Sequence, residues 1–126
     1  MSFQNQFTKT TTDANLMETV HHGSAEYPFR YYYENIALFD FKCIDWHWHS
    51  ELEFIYIKSG NVVFDIGTVH FELNEGNGIM INSKILHRLQ SSSDAIIPNF
   101  LFQPSFIAPQ DSLIYKKYIN PVISSS

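Results

Sequence analysis

The chain has 126 residues, a length that suits one folding domain. Hydrophobic residues make up 44% of the chain and charged residues only 17%, a composition that supplies a core and excludes disorder as the main state. The net charge is −5 and no basic cluster is longer than Lys116-Lys117, which excludes the positive surface that nucleic-acid-binding domains present to phosphates.

Residues 1–20 carry no periodic apolar pattern and are predicted to form a flexible N-terminal arm, which would order only by docking on another surface. The histidine pair His21-His22 follows this arm and is expected to be exposed. Neither a secretory signal nor an apolar run of the roughly 20 residues that span a bilayer is present in the sequence. Together with the single cysteine, Cys43, these features favour a soluble protein of the cytoplasm that does not contact a membrane.

From Tyr31 onward, short apolar or alternating runs are separated by turn residues, a pattern that predicts an all-β sandwich or barrel. Breaks such as Ser59-Gly60-Asn61 are rich in residues that favour turns. Four apolar residues are expected to build the apolar wall of a ligand pocket inside the barrel, namely Phe71, Leu73, Ile79 and Ile81. The predicted strands lie near 31–34, 36–44, 46–50, 53–59, 61–66, 69–73, 78–82, 86–91 and 96–103.

After Pro104 the pattern changes to that of a short helix near residues 112–119, which would end before Pro121. Its apolar face is expected to consist of Leu113, Ile114 and Tyr118. This face would either dock on the sheet or begin a dimer or linker helix. We interpret the last residues of the chain as the start of a linker.

The residues with the clearest chemical potential are His47, His49, Glu53 and His87. Residues two apart on a strand face the same side about 6.6 Å from each other, so the first two histidines could direct ring nitrogens at one metal ion. Glu53 has the same parity but could converge on that point only if the chain bends near residues 50–52. Three imidazoles and one carboxylate suit zinc, nickel, manganese or iron(II), whereas the alternative for each histidine is an ordinary local hydrogen bond.

Trp46 and Trp48 have the opposite parity and are expected on the outer face of their strand, packed against the N-terminal segment or a partner. Arg30 and Arg88 are further candidates for ligand binding, because a guanidinium can hold a carboxylate or phosphate; simple solvation is the alternative. The sequence contains no nucleophile elbow and no phosphate-binding glycine loop, so acyl and phosphoryl transfer have no support.

Two spaced patterns resemble the two sequence motifs of the cupin superfamily. The first is His47-x-His49-x-x-x-Glu53 followed after six residues by Gly60, and the second consists of Gly76, Asn82 and His87. More narrowly, four segments resemble the N-terminal sensor domain of AraC-family transcriptional regulators: Tyr27-Pro28-Phe29, Trp48-His49-Ser50-Glu51-Leu52-Glu53, Gly76-Asn77-Gly78-Ile79-Met80-Ile81-Asn82 and Leu86-His87. The resemblance covers roughly residues 20–120.

The sequence departs from the cupin motifs at positions that are usually glycine, proline or asparagine. These positions are occupied here by Phe41, Asn82, Lys84 and Ser91. Such losses are similar to those of regulator cupins and weaken an enzyme assignment, yet all four ligand-type residues remain. Metal binding is therefore an open expectation.

The resemblance implies a cupin-type double-stranded β-helix, or jelly-roll barrel, over residues 21–105, followed by the short helix and the linker start over residues 106–126. It implies a homodimeric domain that senses a small-molecule effector, such as a sugar, and controls a C-terminal helix-turn-helix DNA-binding region absent from this chain. The same His and Glu side chains, with Arg30 and Arg88, would then hold the effector. On this interpretation the protein is not an enzyme; the alternatives are a stand-alone metal-dependent dioxygenase or isomerase, and a metabolite-binding module that acts without DNA.

Overall fold

Eight β-strands form the framework of the residues that the computed structural model describes, which are 10–19, 22–24 and 28–124. The strands are β1 (Phe29–Asn35), β2 (Cys43–His47), β3 (Leu52–Tyr56), β4 (Asn61–Ile66), β5 (Val69–Asn74), β6 (Gly78–Ile81), β7 (His87–Gln90) and β8 (Ile96–Phe102). A C-terminal helix consists of a π-helical turn, Tyr115–Ile119, and the α-helical turn α1, Asn120–Ile123. None of the helices in the described ranges is long and apolar enough to cross a membrane.

The strands pair in two four-stranded antiparallel sheets with the orders β1-β8-β3-β6 and β2-β7-β4-β5. Consecutive strands alternate between the sheets at several points, so the inward faces of both sheets enclose one core. Ile55 and Ile97 come from the first sheet and Phe64 and Leu89 from the second, and all four are almost fully buried. The expectation that Phe71, Leu73, Ile79 and Ile81 build the apolar wall of the pocket is wrong, because these residues belong to the core instead. Ile81 is buried in this cluster, the other three pack against it, and none of the four lines the cavity of the barrel.

The predicted strand over residues 36–44 is wrong in its first seven residues, which form two 3₁₀ turns, Ile36–Leu38 and Asp40–Lys42. The side chain of Asn35 begins the first turn by accepting a hydrogen bond from the Ala37 amide. Phe41 has a φ of 59°, in the left-handed region that strands do not use. The apolar run therefore buries Ile36 and leaves Leu38 exposed.

Gly60 occupies the turn between β3 and β4, where its φ is 83°. A Cβ atom built at this position would lie 2.5 Å from the carbonyl oxygen of Asp94. The backbone of residues 94 and 95 therefore leaves room only for glycine here.

The C-terminal helix buries a different face from the predicted one. Tyr115 and Ile119 are buried, whereas Leu113, Ile114 and Tyr118 are exposed by 76%, 56% and 62%. Tyr115 and Ile119 are four residues apart, as are Ile114 and Tyr118, so the helical period fits either face. Packing against Ala108 buries the face of Tyr115 and Ile119.

The helix also continues beyond its predicted end, since α1 extends to Ile123. Pro121 lies in the first turn of α1, where its fixed backbone φ is compatible with the helix. The predicted division into residues 1–20, 21–105 and 106–126 stays a prediction, and residues 1–9, 20, 21, 25–27, 125 and 126 lie outside the described residues.

Candidate metal centre and ligand cavity

The four predicted ligand residues come together from both sheets. His47 is the last residue of β2 and lies directly opposite His87, the first residue of β7. Glu53 lies in β3 of the other sheet, and His49 lies in the connection between β2 and β3. We call these residues the four-residue centre, and all of them are buried.

The bend that convergence requires near residues 50–52 is present, because β2 ends at His47 and β3 begins at Leu52. Hydrogen bonds hold this bend in place. The Ser83 hydroxyl donates to the carbonyl oxygen of Ser50 at 2.6 Å, and the Lys84 amide donates to that of His49 at 2.8 Å. The chain thus crosses between the sheets and carries Glu53 back to the two histidines.

The candidate ligand atoms of the centre, one per residue, all lie within 4.8 Å of one another. Glu53 Oε1 is 3.0 Å from His49 Nε2 and 3.4 Å from His87 Nε2. The His47 and His87 rings have centroids 4.2 Å apart. This spacing suits a single ion held by three imidazole nitrogens and one carboxylate oxygen.

A main-chain carbonyl oxygen fixes the orientation of each histidine. Because a carbonyl oxygen can only accept, each Nδ1 carries the proton and each Nε2 points into the centre. The acceptors are the carbonyls of Asp45, Glu51 and Ile85, at 2.7, 3.0 and 2.8 Å from Nδ1 of His47, His49 and His87. Metal-binding histidines are oriented by the same kind of contact.

The Nε2 atom of His87 is fully buried and has no hydrogen-bond partner among the described residues. An unsatisfied buried nitrogen costs free energy, of the order of 1–3 kcal/mol. A metal ion would satisfy this lone pair, so the donor set fits a divalent transition metal.

Burial and mutual contacts shift the pKa values within the centre. Burial alone would raise the pKa of Glu53, but the hydrogen bond from His49 and the charges of His49 and His87 hold this pKa well below the usual range. Burial opposes the charge on His49, yet its contacts with Glu53 raise the His49 pKa to about 9. Burial and the charge of His87 lower the pKa of His47 to about 4. Without metal, the centre therefore holds an imidazolium–carboxylate pair beside a neutral imidazole.

A cavity of about 500 Å³, counting the solvent space at its mouth, opens beside the centre. Its apolar wall includes Phe39, Ile44, Leu89 and Leu101. Beyond the centre, its polar groups are Thr10, Thr11, Glu18, His22, Tyr32, Glu34 and Asn99. Among the described residues that line it, none is Arg or Lys.

Glu34 and Asn99 form a second buried polar group in this cavity. The Asn99 amide donates to Glu34 Oε1 at 2.7 Å and to the carbonyl oxygen of Ile97 at 2.9 Å. Burial raises the pKa of Glu34 to about 7, although the hydrogen bond from Asn99 opposes the shift. This pair could exchange hydrogen bonds with a polar ligand, since a carboxyl and an amide supply donors and acceptors.

The two predicted arginines lie elsewhere. Arg30 is exposed and its guanidinium lies 5.8 Å from the centroid of the Tyr32 ring. Arg88 donates to Asp65 at 2.9 Å and lies 5.0 Å from the centroid of the Trp46 ring. Neither lines the cavity, so the structure adds no support to their predicted role.

The expectation that His22 is exposed is wrong, since its exposed fraction is 7%; His21 lies outside the described residues. His22 pairs with Glu18, hydrogen-bonds the Tyr32 hydroxyl at 2.7 Å and packs its edge on the His49 ring. Sequence reasoning missed both Glu18 and His22 because the N-terminal segment lacks a periodic pattern. Their spacing of four residues was the one available signal.

The architecture is that of a cupin. A cupin from Shewanella frigidimarina described as RmlC-like has a TM-score of 0.54 with this chain at 14% identity, over 60% of this chain and 67% of that one. A protein from Neisseria meningitidis has a TM-score of 0.52 at 14% identity, over 60% of this chain and 75% of that one. The predicted cupin-type all-β fold with a short C-terminal helix is thus confirmed.

Within this fold class, residues 38–108 match the model of the AraC-like ligand binding domain, and the chain belongs to that family. It is also 32% identical over 116 residues to YdeC of Bacillus subtilis (strain 168), described as an uncharacterized HTH-type transcriptional regulator. The match covers 90% of this chain and 39% of YdeC. The family resemblance expected from the sequence is confirmed.

Proposed function

We propose that this chain is the effector-sensing and dimerisation domain of an AraC-family transcription regulator that acts in the cytoplasm. The observation that carries the proposal is the cavity inside the barrel, which brings buried polar groups from both sheets and the N-terminal segment to one space. Family membership supports a ligand-binding role for this space. DNA would be bound by a helix-turn-helix region of the full-length protein, as the description of YdeC suggests.

The lining favours a small polar effector without negative charge. Glu34, Asn99, Tyr32 and His22 offer hydrogen bonds, and the described lining contains no Arg or Lys that would neutralise an anion. In the part of the cavity away from the four-residue centre, Glu18 and Glu34 would repel a phosphate or carboxylate group when they are ionised. A sugar or another polyol meets these conditions, because its hydroxyl groups both donate and accept.

The C-terminal helix supports a homodimer. Leu113, Ile114, Tyr118 and Val122 are large apolar residues that each expose more than half of their surface. Burying them against a second copy would remove apolar surface from water. An effector that binds better to one arrangement of barrel and dimer would shift the population towards it and change the geometry offered to DNA.

The four-residue centre would hold a divalent transition metal, namely zinc, nickel, manganese or iron(II). His47, His49, Glu53 and His87 would be its ligands. When bound, the ion would supply a Lewis-acid site for an oxygen of the effector. Glu34 and Asn99 would orient the rest of the effector by hydrogen bonds.

Ligand binding by the cavity is tested by a thermal-shift screen of metal-loaded protein with neutral sugars, polyols and the matching sugar phosphates. We expect a neutral compound to bind, with at least about tenfold weaker affinity in Glu34→Gln and unchanged affinity in the matched control Arg88→Gln. In a mobility-shift assay at physiological salt, the 126-residue chain should not bind duplex DNA. Tight DNA binding by this chain would contradict the proposal. An equal loss of ligand affinity in Glu34→Gln and Arg88→Gln would contradict it as well.

A metal-dependent enzyme is the second candidate, and the four-residue centre is the observation that favours it. The two candidates differ in the fate of the ligand. A sensor returns the bound compound unchanged, so mass spectrometry after long incubation with metal-loaded protein should recover it intact. Conversion that disappears in Glu53→Gln would favour the enzyme instead.

A further inference from the structure

Residues 10–19 form a hairpin that packs directly on the segment bearing two of the four candidate ligands. Thr12 pairs with Glu18 across the hairpin, and the Asp13 carboxylate accepts from the amides of Asn15 and Met17 at 2.8 and 3.0 Å. We call this segment the N-terminal hairpin. The Asp13 hydrogen bonds stabilise its turn without any contribution from the barrel.

The attachment point of the hairpin is Trp48, the residue between His47 and His49. The Trp48 amide donates to the carbonyl oxygen of Leu16 at 3.0 Å, and its own carbonyl accepts from the Glu18 amide at 2.9 Å. The Trp48 indole donates to the carbonyl oxygen of Asn15 at 2.9 Å. Docking of the hairpin therefore restrains the backbone that positions both histidines.

The Glu18 side chain enters the same cavity as the centre and is mostly buried. Its carboxylate accepts from His22 Nε2, so His22 Nδ1 accepts from the Tyr32 hydroxyl. The His22 ring in turn lies edge-on to His49, with centroids 5.7 Å apart. The hairpin thus brings a negative charge, one histidine away, towards the four-residue centre.

We propose that Glu18 couples metal occupancy of the four-residue centre to docking of the N-terminal hairpin, so that a bound divalent ion holds the hairpin on the barrel. This inference rests on the metal binding proposed above. A divalent ion and the Glu53 carboxylate together carry one net positive charge, since the histidines are neutral ligands. That charge attracts Glu18 only while the hairpin is docked, and the low-dielectric surroundings strengthen the attraction.

The test is hydrogen exchange by mass spectrometry on the 126-residue chain, alone and with Zn²⁺, Ni²⁺ or Mn²⁺. We expect the metal to slow exchange of the Glu18 and Trp48 amides at least about fivefold in the wild type. Glu18→Gln, which keeps the size and removes the charge, should lose most of this effect. Glu75→Gln is the matched control, because it makes the same change at an exposed site outside the hairpin and should keep the effect.

Metal affinity provides a second measurement, which does not depend on a docked hairpin in the variant. Because coupling is reciprocal, Glu18→Gln should bind the metal more weakly by the same factor, and Glu18→Asp, which keeps the charge, should recover part of the loss. Equal affinity in Glu18→Gln and the wild type would overturn the proposal.

The remaining outcomes are distinguishable. Two results would overturn the coupling and leave the metal centre intact. In the first, the wild type binds the metal but its hairpin amides do not exchange more slowly. In the second, the metal slows exchange in Glu18→Gln as much as in the wild type. Failure of all three ions to bind would overturn both the coupling and the metal centre. Effector binding in the cavity is tested separately, by the thermal-shift screen.

Discussion

Two buried polar groups line the same cavity and differ in how far their hydrogen bonds are satisfied. Glu34 and Asn99 satisfy each other, and the spare amide hydrogen of Asn99 reaches a main-chain carbonyl. In the four-residue centre, by contrast, three Nε2 atoms converge on one carboxylate, and that of His87 has no partner within the described chain. Both groups are equally hidden from water, so burial alone does not separate them.

This difference in hydrogen-bond satisfaction indicates which of the two groups suits a metal ion and which suits the effector. A satisfied pair can exist without a ligand and gives up existing hydrogen bonds to bind one. The centre gains an interaction when an ion enters, because the ion gives the lone pair of His87 a partner, and backbone hydrogen bonds already orient the three rings. His49 gives up its Nε2 proton, and with it the hydrogen bond to Glu53, when it binds the ion. The contrast assigns metal binding to the centre and effector orientation to the Glu34–Asn99 pair.

The largest expected effect is the loss of metal affinity in Glu53→Gln. This change removes the one anionic ligand of the centre, and even changes to outer groups of metal sites cost about 10–100-fold in affinity. We expect at least about a 100-fold loss, measured by competition with a fluorescent chelator. Glu34→Gln is the control and should stay within about threefold of the wild type. Equal losses of metal affinity in Glu53→Gln and Glu34→Gln would contradict the assignment of metal binding to the four-residue centre alone.

The sequence contained enough information to predict which residues form the centre. The parity of His47 and His49 against Trp46 and Trp48 predicted the histidines inside and the tryptophans outside, and the alternation continues although β2 ends at His47: both histidines are buried and both tryptophans are half-buried. The same spacing argument required a bend before Glu53, and the strand boundaries contain one. Local periodicity is sufficient when one short segment supplies most of a site.

The rest of the cavity depended on contacts that local patterns do not encode. Glu34 follows three tyrosines at the end of β1, and only the pairing of β1 with β8 brings it to Asn99. Glu18 and His22 reach the cavity through the packing of a nonperiodic segment on Trp48. The buried face of the C-terminal helix likewise depended on tertiary packing, because Tyr115 and Ile119 pack against Ala108 although the helical period fits Ile114 and Tyr118 equally well.

The next largest effect concerns the pH dependence of folding stability in Glu34→Gln. The pKa of Glu34 rises from an ordinary 4.5 to about 7 on folding, so the folded state binds more protons between these values and loses stability as the pH rises through this window. Glu34→Gln avoids this loss and should unfold at higher urea concentration than the wild type at pH 8. The gain should be at most about 3 kcal/mol at pH 8 and below about 1 kcal/mol at pH 5. A gain independent of pH would mean that burial does not raise the pKa of Glu34 and that this carboxyl is ionised over the whole range from pH 5 to pH 8.

The smallest expected effect is the loss of folding stability in Tyr32→Phe. Tyr32 lies between the Glu34–Asn99 pair and the four-residue centre. Tyr32 lies opposite Asn99 in the β1–β8 register, but its hydroxyl bonds His22 and so belongs to the hairpin side of the cavity. Removing the hydroxyl should cost about 1 kcal/mol in urea unfolding of the metal-free protein, since one buried hydrogen bond is lost.

This cost should be the same at pH 5 and pH 8, because burial raises the pKa of Tyr32 to about 12 and keeps the group neutral at both values. Glu34→Gln, measured in the same series, supplies the pH-dependent reference. If the cost in Tyr32→Phe followed the titration of Glu34 instead, the hydroxyl would be exchanging its partner with that carboxyl. The two polar groups would then form one network, and effector and metal could not be assigned to separate parts of the cavity.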